Sequence, residues 1–197
     1  MRYFMDCEFI ENGETIDLIS LGLAAGDGRT LYLQSVECQF GKASEWVWRN
    51  VFPHLVHFDM RGRRACCERI ETIDSGLGRR TTSTCSNEVD NPCPWATRNE
   101  IGKKVLSFCS QEKYGEPEFW GYFADYDWVA FCQLWGAMIQ LPKGFPMWCN
   151  DLKQWCFSLG NPELPKQNSS EHHALTDAVW NKQLFDFLKQ AEGSKVM

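Results

Sequence analysis

The first 35 residues alternate between β-rich runs and tight turns. The runs 3–10, 15–25 and 29–35 are mostly apolar, and they are separated by Asn-Gly at 12–13 and Gly-Asp-Gly at 26–28. Such turns adopt positive φ at their central residues, which is the geometry that closes antiparallel hairpins. The pattern therefore predicts that the chain opens with three antiparallel strands.

Helical spacing of apolar residues dominates the remainder of the chain. Thr97 and Glu100 form a capping-box pattern, which marks the start of one helix. The spacing predicts helices over 43–52, about 98–111, 127–136, near 148–159 and 171–193, and a short buried strand over 117–125. Three strands followed by strand-helix alternation predict a mixed α/β sheet in a single domain spanning 1–197.

Residues 53–96 lack sustained periodicity, and we interpret them as a loop-rich insertion. The segment contains several arginines that could contact a nucleic-acid backbone or simply be solvated. Its histidines and cysteines follow no standard zinc-ligand spacing, so zinc binding is the weaker alternative. These residues are His54, His57, Cys66, Cys67, Cys85 and Cys93.

Composition restricts the class of protein. The formal charge of −6 is unusual for a nucleic-acid binder that relies on basic side chains, but bound metal ions could supply the positive charge instead. The ten cysteines are scattered through a chain of 197 residues, which favours buried thiols over a disulfide framework. No run of about eighteen apolar residues and no signal-peptide pattern is present, so we expect a cytoplasmic protein without membrane segments.

Two acids in the first strand are the first candidate for chemistry. Asp6 and Glu8 lie two residues apart, so both carboxylates project from the same face of a strand and can share a cation. Placing two acids among apolar residues is costly unless they are paired or bind a metal. The alternative interpretation is a strand with one solvated face.

Further candidates lie near the starts of two predicted helices. Asp125 and Asp127 fall where a strand passes into a helix, a common ligand position in α/β sheets, although either could serve as a helix N-cap. His172 and Asp177 lie five residues apart in the last predicted helix, about 140° around its axis. That offset would let Asp177 reach a metal while His172 leans over the reactants; a surface histidine is the alternative.

The joint order, DxE, then Asp, then HxxxxD, resembles the DEDDh 3′→5′ exonucleases, and in particular the small bacterial and phage exoribonucleases related to RNase T. The segments that carry the resemblance are MRYFMDCEFIENGETIDLISLGLAAGDGRTLYL, GYFADYDWVAFCQLWG and EHHALTDA. The resemblance covers about 1–52 and 97–190. It implies an RNase H-like fold with a mixed five-stranded sheet flanked by helices.

The resemblance also assigns roles to residues. Asp6, Glu8, Asp127 and Asp177 would hold two Mg²⁺ or Mn²⁺ ions, which suit oxygen ligands, and His172 would take a proton from the attacking water. The chain departs from the family pattern in two ways. Asp125 is a second acid beside Asp127, and the family's usual Asn before the second motif is missing. In addition, His173 stands where the sister DEDDy group has its tyrosine.

The implied function is metal-dependent 3′→5′ exonuclease activity that releases nucleoside 5′-monophosphates from a single-stranded RNA or DNA 3′ end. Phe9 is a candidate for stacking on the terminal base, or it packs in the core. The alternatives are an RNase H-like endonuclease and a catalytically degenerate module that binds nucleic acid or protein. The preference for RNA or DNA and the biological substrate stay open, and relatives of this kind are often homodimers.

Overall fold

A computed structural model describes residues 1–56, 58–59, 63–64, 69–75, 78–84, 93–167 and 171–194. The strands are β1 Arg2–Glu11, β2 Ile16–Ala25, β3 Thr30–Ser35, β4 Phe58–Asp59, β5 Arg63–Arg64, β6 Arg69–Ser75, β7 Gly78–Thr84, β8 Trp95–Ala96, β9 Glu118–Gly121 and β10 Asn150–Asp151. The α-helices are α1 Glu45–Asn50, α2 Arg98–Phe108, α3 Gln111–Tyr114, α4 Asp125–Cys132, α5 Leu152–Ser158 and α6 Ala174–Ser194.

The central sheet has the strand order β10-β9-β1-β2-β3-β8. Strands β1, β2 and β3 pair antiparallel, which confirms the predicted opening of the chain, and the outer pairs β1–β9, β9–β10 and β3–β8 are parallel. The predicted count of five strands in this sheet is wrong, because the described residues form six strands in it. The edge strands β8 and β10 have two residues each, which is too short for any alternation of apolar and polar residues to mark them.

Helices cover both faces of this sheet. Alternate residues of β1, beginning with Tyr3 and Met5, pack in a core with α2 and α4. Phe4 points the other way and packs with α5 and α6, where its ring lies edge-on to Phe185. Asp6 and Glu8 share the alternation of Phe4 and therefore face α6.

The boundaries of two elements differ from the prediction in ways that affect the site. Helix α4 begins at Asp125, two residues early, and its N-cap is Ala124 rather than an aspartate. The last helix begins at Ala174, so the expectation that His172 and His173 lie within it is wrong. His172 has a φ of 67°, which is incompatible with a right-handed helix, and the ring nitrogen Nδ1 of His173 accepts a hydrogen bond from the backbone N–H of Thr176 (3.3 Å).

Within the predicted insertion, the described residues include paired strands: β4 pairs with β5 and β6 pairs with β7, both antiparallel. Four of the candidate zinc ligands, His57, Cys66, Cys67 and Cys85, lie outside the described residues.

Elsewhere the prediction of buried thiols is confirmed at Cys7, Cys38, Cys109, Cys132 and Cys156. Among the described helices, none has the length and apolar character needed to cross a membrane.

Candidate metal centre and its cleft

A cleft of about 590 Å³ opens where β1, the start of α4 and the start of α6 meet. All five predicted metal-ligand and base residues line this cleft, together with Phe9. The remaining lining residues are Cys7, Tyr122, Phe123, Pro165, Gln167, Glu171, Trp180 and Asn181.

Three carboxylates converge in the cleft. Asp6 and Glu8 project from β1 toward α6, and Asp177 lies in the first turn of α6. One carboxylate oxygen from each of the three lies within 4.8 Å of the others, a spacing that lets them share a cation. The backbone N–H of His172 (3.0 Å) and the side-chain amide of Gln167 both donate hydrogen bonds to Asp177, which fix its carboxylate.

The close approach of α6 to the sheet brings Asp177 to this position. Gly22 of β2 pairs with Asp6 in β1, and a Cβ atom built on Gly22 would lie 2.2 Å from the carbonyl oxygen of Ala174, the first residue of α6. Only glycine leaves space for the helix backbone here. Asn181 connects the second turn of α6 to β1, because its buried side-chain amide donates a hydrogen bond to the carbonyl oxygen of Met5 (2.9 Å).

Asp127 reaches the same cleft from the opposite side of β1. It is buried in the first turn of α4, and its Oδ1 accepts a hydrogen bond from the backbone N–H of Cys7, between Asp6 and Glu8, at 2.7 Å. Its carboxylate is not part of the group of three described above. Asp125 is exposed, so the structure brings only one of these two acids to the cleft.

Burial and mutual repulsion of their negative charges raise the pKa values of carboxylates in the cleft. Burial and the nearby carboxylates raise the pKa of Asp6 well above its ordinary value, and burial together with Asp177 raises the pKa of Glu8 to about 8. Burial also raises the pKa of Asp127, to about 7, against the hydrogen bond from Cys7. None of the described residues that line the cleft is a lysine or arginine. An all-oxygen donor set without a cationic side chain fits divalent cations such as Mg²⁺ or Mn²⁺.

The two adjacent histidines have different surroundings. His172 lines the cleft, and its ring meets the ring of Trp46 edge-to-face with centroids 4.8 Å apart. His173 is instead stacked on Tyr32 at 4.4 Å, and burial lowers its pKa. His173 also caps α6. His172, and not His173, is thus part of the described lining of the cleft.

Comparison with curated proteins gives two related matches, both named 3′-5′ exoribonuclease and both from Mycobacterium tuberculosis, one in each of two strains. Each is 33% identical to the chain over 182 residues, which is 90% of this chain and 87% of the relative. The chain belongs to the 3′-5′ exoribonuclease family. No protein-family model matches it.

Several residues of this exoribonuclease-family cleft had no signal in the sequence. In the sequence, Gly22 has no feature that distinguishes it from other strand residues, and Asn181 and Gln167 lie in segments without a motif. Only the fold shows that Gln167 contacts Asp177 and that Asn181 contacts β1. Phe9 was a candidate, and it lies half-exposed at the cleft with its ring stacked on Tyr126 at 6.1 Å. Because successive residues of β1 alternate between its faces, that ring lies on the face opposite to the carboxylates and packs beside the core that contains Cys7.

Proposed function

We propose that this member of the exoribonuclease family is a metal-dependent 3′→5′ exoribonuclease of the DEDDh type, which hydrolyses single-stranded RNA from its 3′ end to nucleoside 5′-monophosphates. The observation that carries the proposal is the convergence of Asp6, Glu8 and Asp177 within 4.8 Å in a cleft that also contains His172. The exoribonuclease activity for which the relatives are named supports RNA as the substrate.

In this proposal Asp6, Glu8 and Asp177 would hold one cation, and Asp127 together with Asp6 would hold a second. When bound, two divalent cations neutralise charge on the scissile phosphate and make the attacking water more acidic. Asp127 contributes negative charge at a position fixed by Cys7, and Gln167 and the His172 backbone fix Asp177.

His172 acts as the general base. Its imidazole takes a proton from the attacking water, which forms the new P–O bond while the bond to the leaving 3′ oxygen breaks. Two features of His172 support this role: it lines the cleft, and its left-handed backbone precedes the first residue of α6. Phe9, supported by Tyr126, offers its exposed face to the 3′-terminal base.

End-labelled substrates test the proposal. We expect immediate release of labelled mononucleotide from 3′-labelled single-stranded RNA, and progressive shortening of the 5′-labelled strand, with Mg²⁺ or Mn²⁺ but not with EDTA. A circular RNA of the same sequence should resist, and DNA run in parallel measures the sugar preference. Asp6→Asn should be inactive throughout. Light scattering of the same preparation tests the homodimer that the sequence resemblance implies.

Two outcomes would contradict this function. Cleavage of the circular RNA would identify an endonuclease on the same architecture. Tight RNA binding without release of nucleotide under any metal condition would identify a binding module that has lost catalysis.

A further inference from the structure

Trp46 is a large exposed aromatic residue beside the catalytic cleft. Its side chain is 53% exposed, and it contacts the ring of His172 with an interplanar angle of 77°. His172 lines the cleft that contains the carboxylates, whereas Trp46 is not among the described residues of that lining.

The helix that carries Trp46 is firmly anchored despite its six residues. The hydroxyl of Ser44 caps α1 by accepting a hydrogen bond from the backbone N–H of Val47. Val47, Val51 and Phe52 are buried in a separate apolar cluster beneath it. A fixed helix can hold an indole ring in one place even though half of that ring faces solvent.

Among the described residues, the hydrogen bonds of His172 restrain only its backbone, so its ring depends on a packing contact for its orientation. The hydrogen bond from its N–H to Asp177 and its positive φ set the Cα–Cβ direction, but they leave the imidazole free to rotate about χ1 and χ2. An aromatic edge-to-face contact selects one orientation of the ring. We infer that Trp46 is a positioning residue that holds the imidazole of His172 over the carboxylate group; this inference rests on the proposed function.

Direct stacking of Trp46 on an RNA base is the competing role for this residue. The exposure of Trp46 beside the cleft does not by itself separate the two roles. The two roles differ in kinetics, since a positioning residue affects kcat through His172 whereas a stacking residue affects RNA binding directly.

A double-mutant cycle separates these roles. Trp46→Ala should lower kcat roughly tenfold to a hundredfold with little change in KM, because a general base contributes about 10²- to 10⁴-fold and is only displaced here. Trp46→Phe should recover most of this loss, because phenylalanine keeps an aromatic edge. Trp148→Ala, which removes another exposed tryptophan outside the cleft lining, is the matched control and should behave as wild type.

The decisive comparison uses His172→Asn, since asparagine tolerates the left-handed backbone. In that background Trp46→Ala should change single-turnover rates by no more than about twofold. An equal loss in both backgrounds, or a loss confined to KM, would overturn the inference.

A second measurement needs neither metal nor RNA. In wild type, ring-proton signals of His172, identified by their absence in His172→Asn, should be shifted by the indole ring current. Trp46→Ala should return them toward the values of a free histidine, whereas Trp148→Ala should not. Unshifted signals in wild type would overturn the inference whatever the activity, while shifted signals in an inactive wild type would refute only the proposed function.

Discussion

At the scale of single residues, Asp127 supplies both a charge to the cleft and a hydrogen-bond acceptor to β1, and a substitution can separate the two. Asp127→Asn keeps an oxygen for the backbone N–H of Cys7 and removes only the charge. We expect kcat to fall by roughly 10²-fold or more, because one cation loses its ligand, while the melting temperature holds or rises. Asp125→Asn is the control, and its exposed side chain predicts wild-type kcat. Equal losses would show that both acids serve the metals.

The adjacent histidines provide a second prediction at this scale. His172→Asn should lower kcat by about 10²- to 10⁴-fold, the usual contribution of a general base, without loss of metal binding. His173→Asn should remain active, because asparagine can still cap α6 and the imidazole of His173 lies against Tyr32. Steady-state kinetics and calorimetric titration with Mn²⁺ test both. A crippled His173→Asn beside an active His172→Asn would assign the base to His173.

At the scale of elements, the sequence was most informative where its periodicity is long. Strands β1, β2 and β3 have six to ten residues each and are joined by turns with characteristic residues, so their pairing could be predicted. The two-residue strands β8 and β10 owe their existence to neighbours in the sheet and have no local pattern. The start of α6 was predicted three residues too early, because the pattern of apolar residues, which begins at Ala174, carries no trace of the left-handed backbone at His172.

The contact between β2 and α6 leads to a third prediction. Gly22→Ala should push the start of α6 away from the sheet, because the added methyl group would meet the backbone of Ala174 and not a side chain that can rotate aside. His172 and Asp177 would move with the helix, so activity and Mn²⁺ affinity should each fall about tenfold or more. Both are measured on folded protein, with circular dichroism confirming the fold.

Gly26→Ala is the control for that substitution. It lies near the end of the same hairpin, and a Cβ there would meet nothing closer than 3.6 Å. We expect Gly26→Ala to keep near-wild-type activity. If Gly22→Ala binds Mn²⁺ and degrades RNA as well as Gly26→Ala does, the close approach of α6 does not set the metal site.

At the scale of the whole molecule, the predicted site residues come from three distant parts of the chain. Their order along the chain could be predicted because it follows a family pattern, and the fold brings Asp6, Asp127 and Asp177 to one cleft. The hydrogen bonds of Gln167 and Asn181 and the contact of Trp46 could not be predicted, because they join residues that are close only after folding. The acidic balance of the chain, −6, is compatible with the proposed function, because the bound cations of that proposal would supply positive charge in a cleft whose described lining has no lysine or arginine.

This concentration of negative charge should be visible in the stability of the metal-free protein. Burial, and to a smaller extent the charge of Asp177, raises the pKa of Glu8 to about 8. In an unfolded chain the pKa of a glutamate is about 4.3. The folded state therefore binds this proton more tightly than the unfolded state. The resulting contribution to stability is complete below about pH 4.3 and is lost as the pH rises through about 8.

Between pH 6 and 8.5 in EDTA, we expect the melting temperature of the wild type to fall. The melting temperature of Glu8→Gln should fall less, because the glutamine side chain cannot ionise. Glu14→Gln, which changes an exposed glutamate in the first turn, should follow the wild type. Added Mg²⁺ should raise the wild-type melting temperature most at the alkaline end, since a cation binds the ionised carboxylates and stabilises only the folded state. Differential scanning calorimetry over this range gives all three curves. Parallel curves of melting temperature against pH for Glu8→Gln and Glu14→Gln, with the same response to Mg²⁺, would mean that Glu8 neither has a raised pKa nor binds the cation.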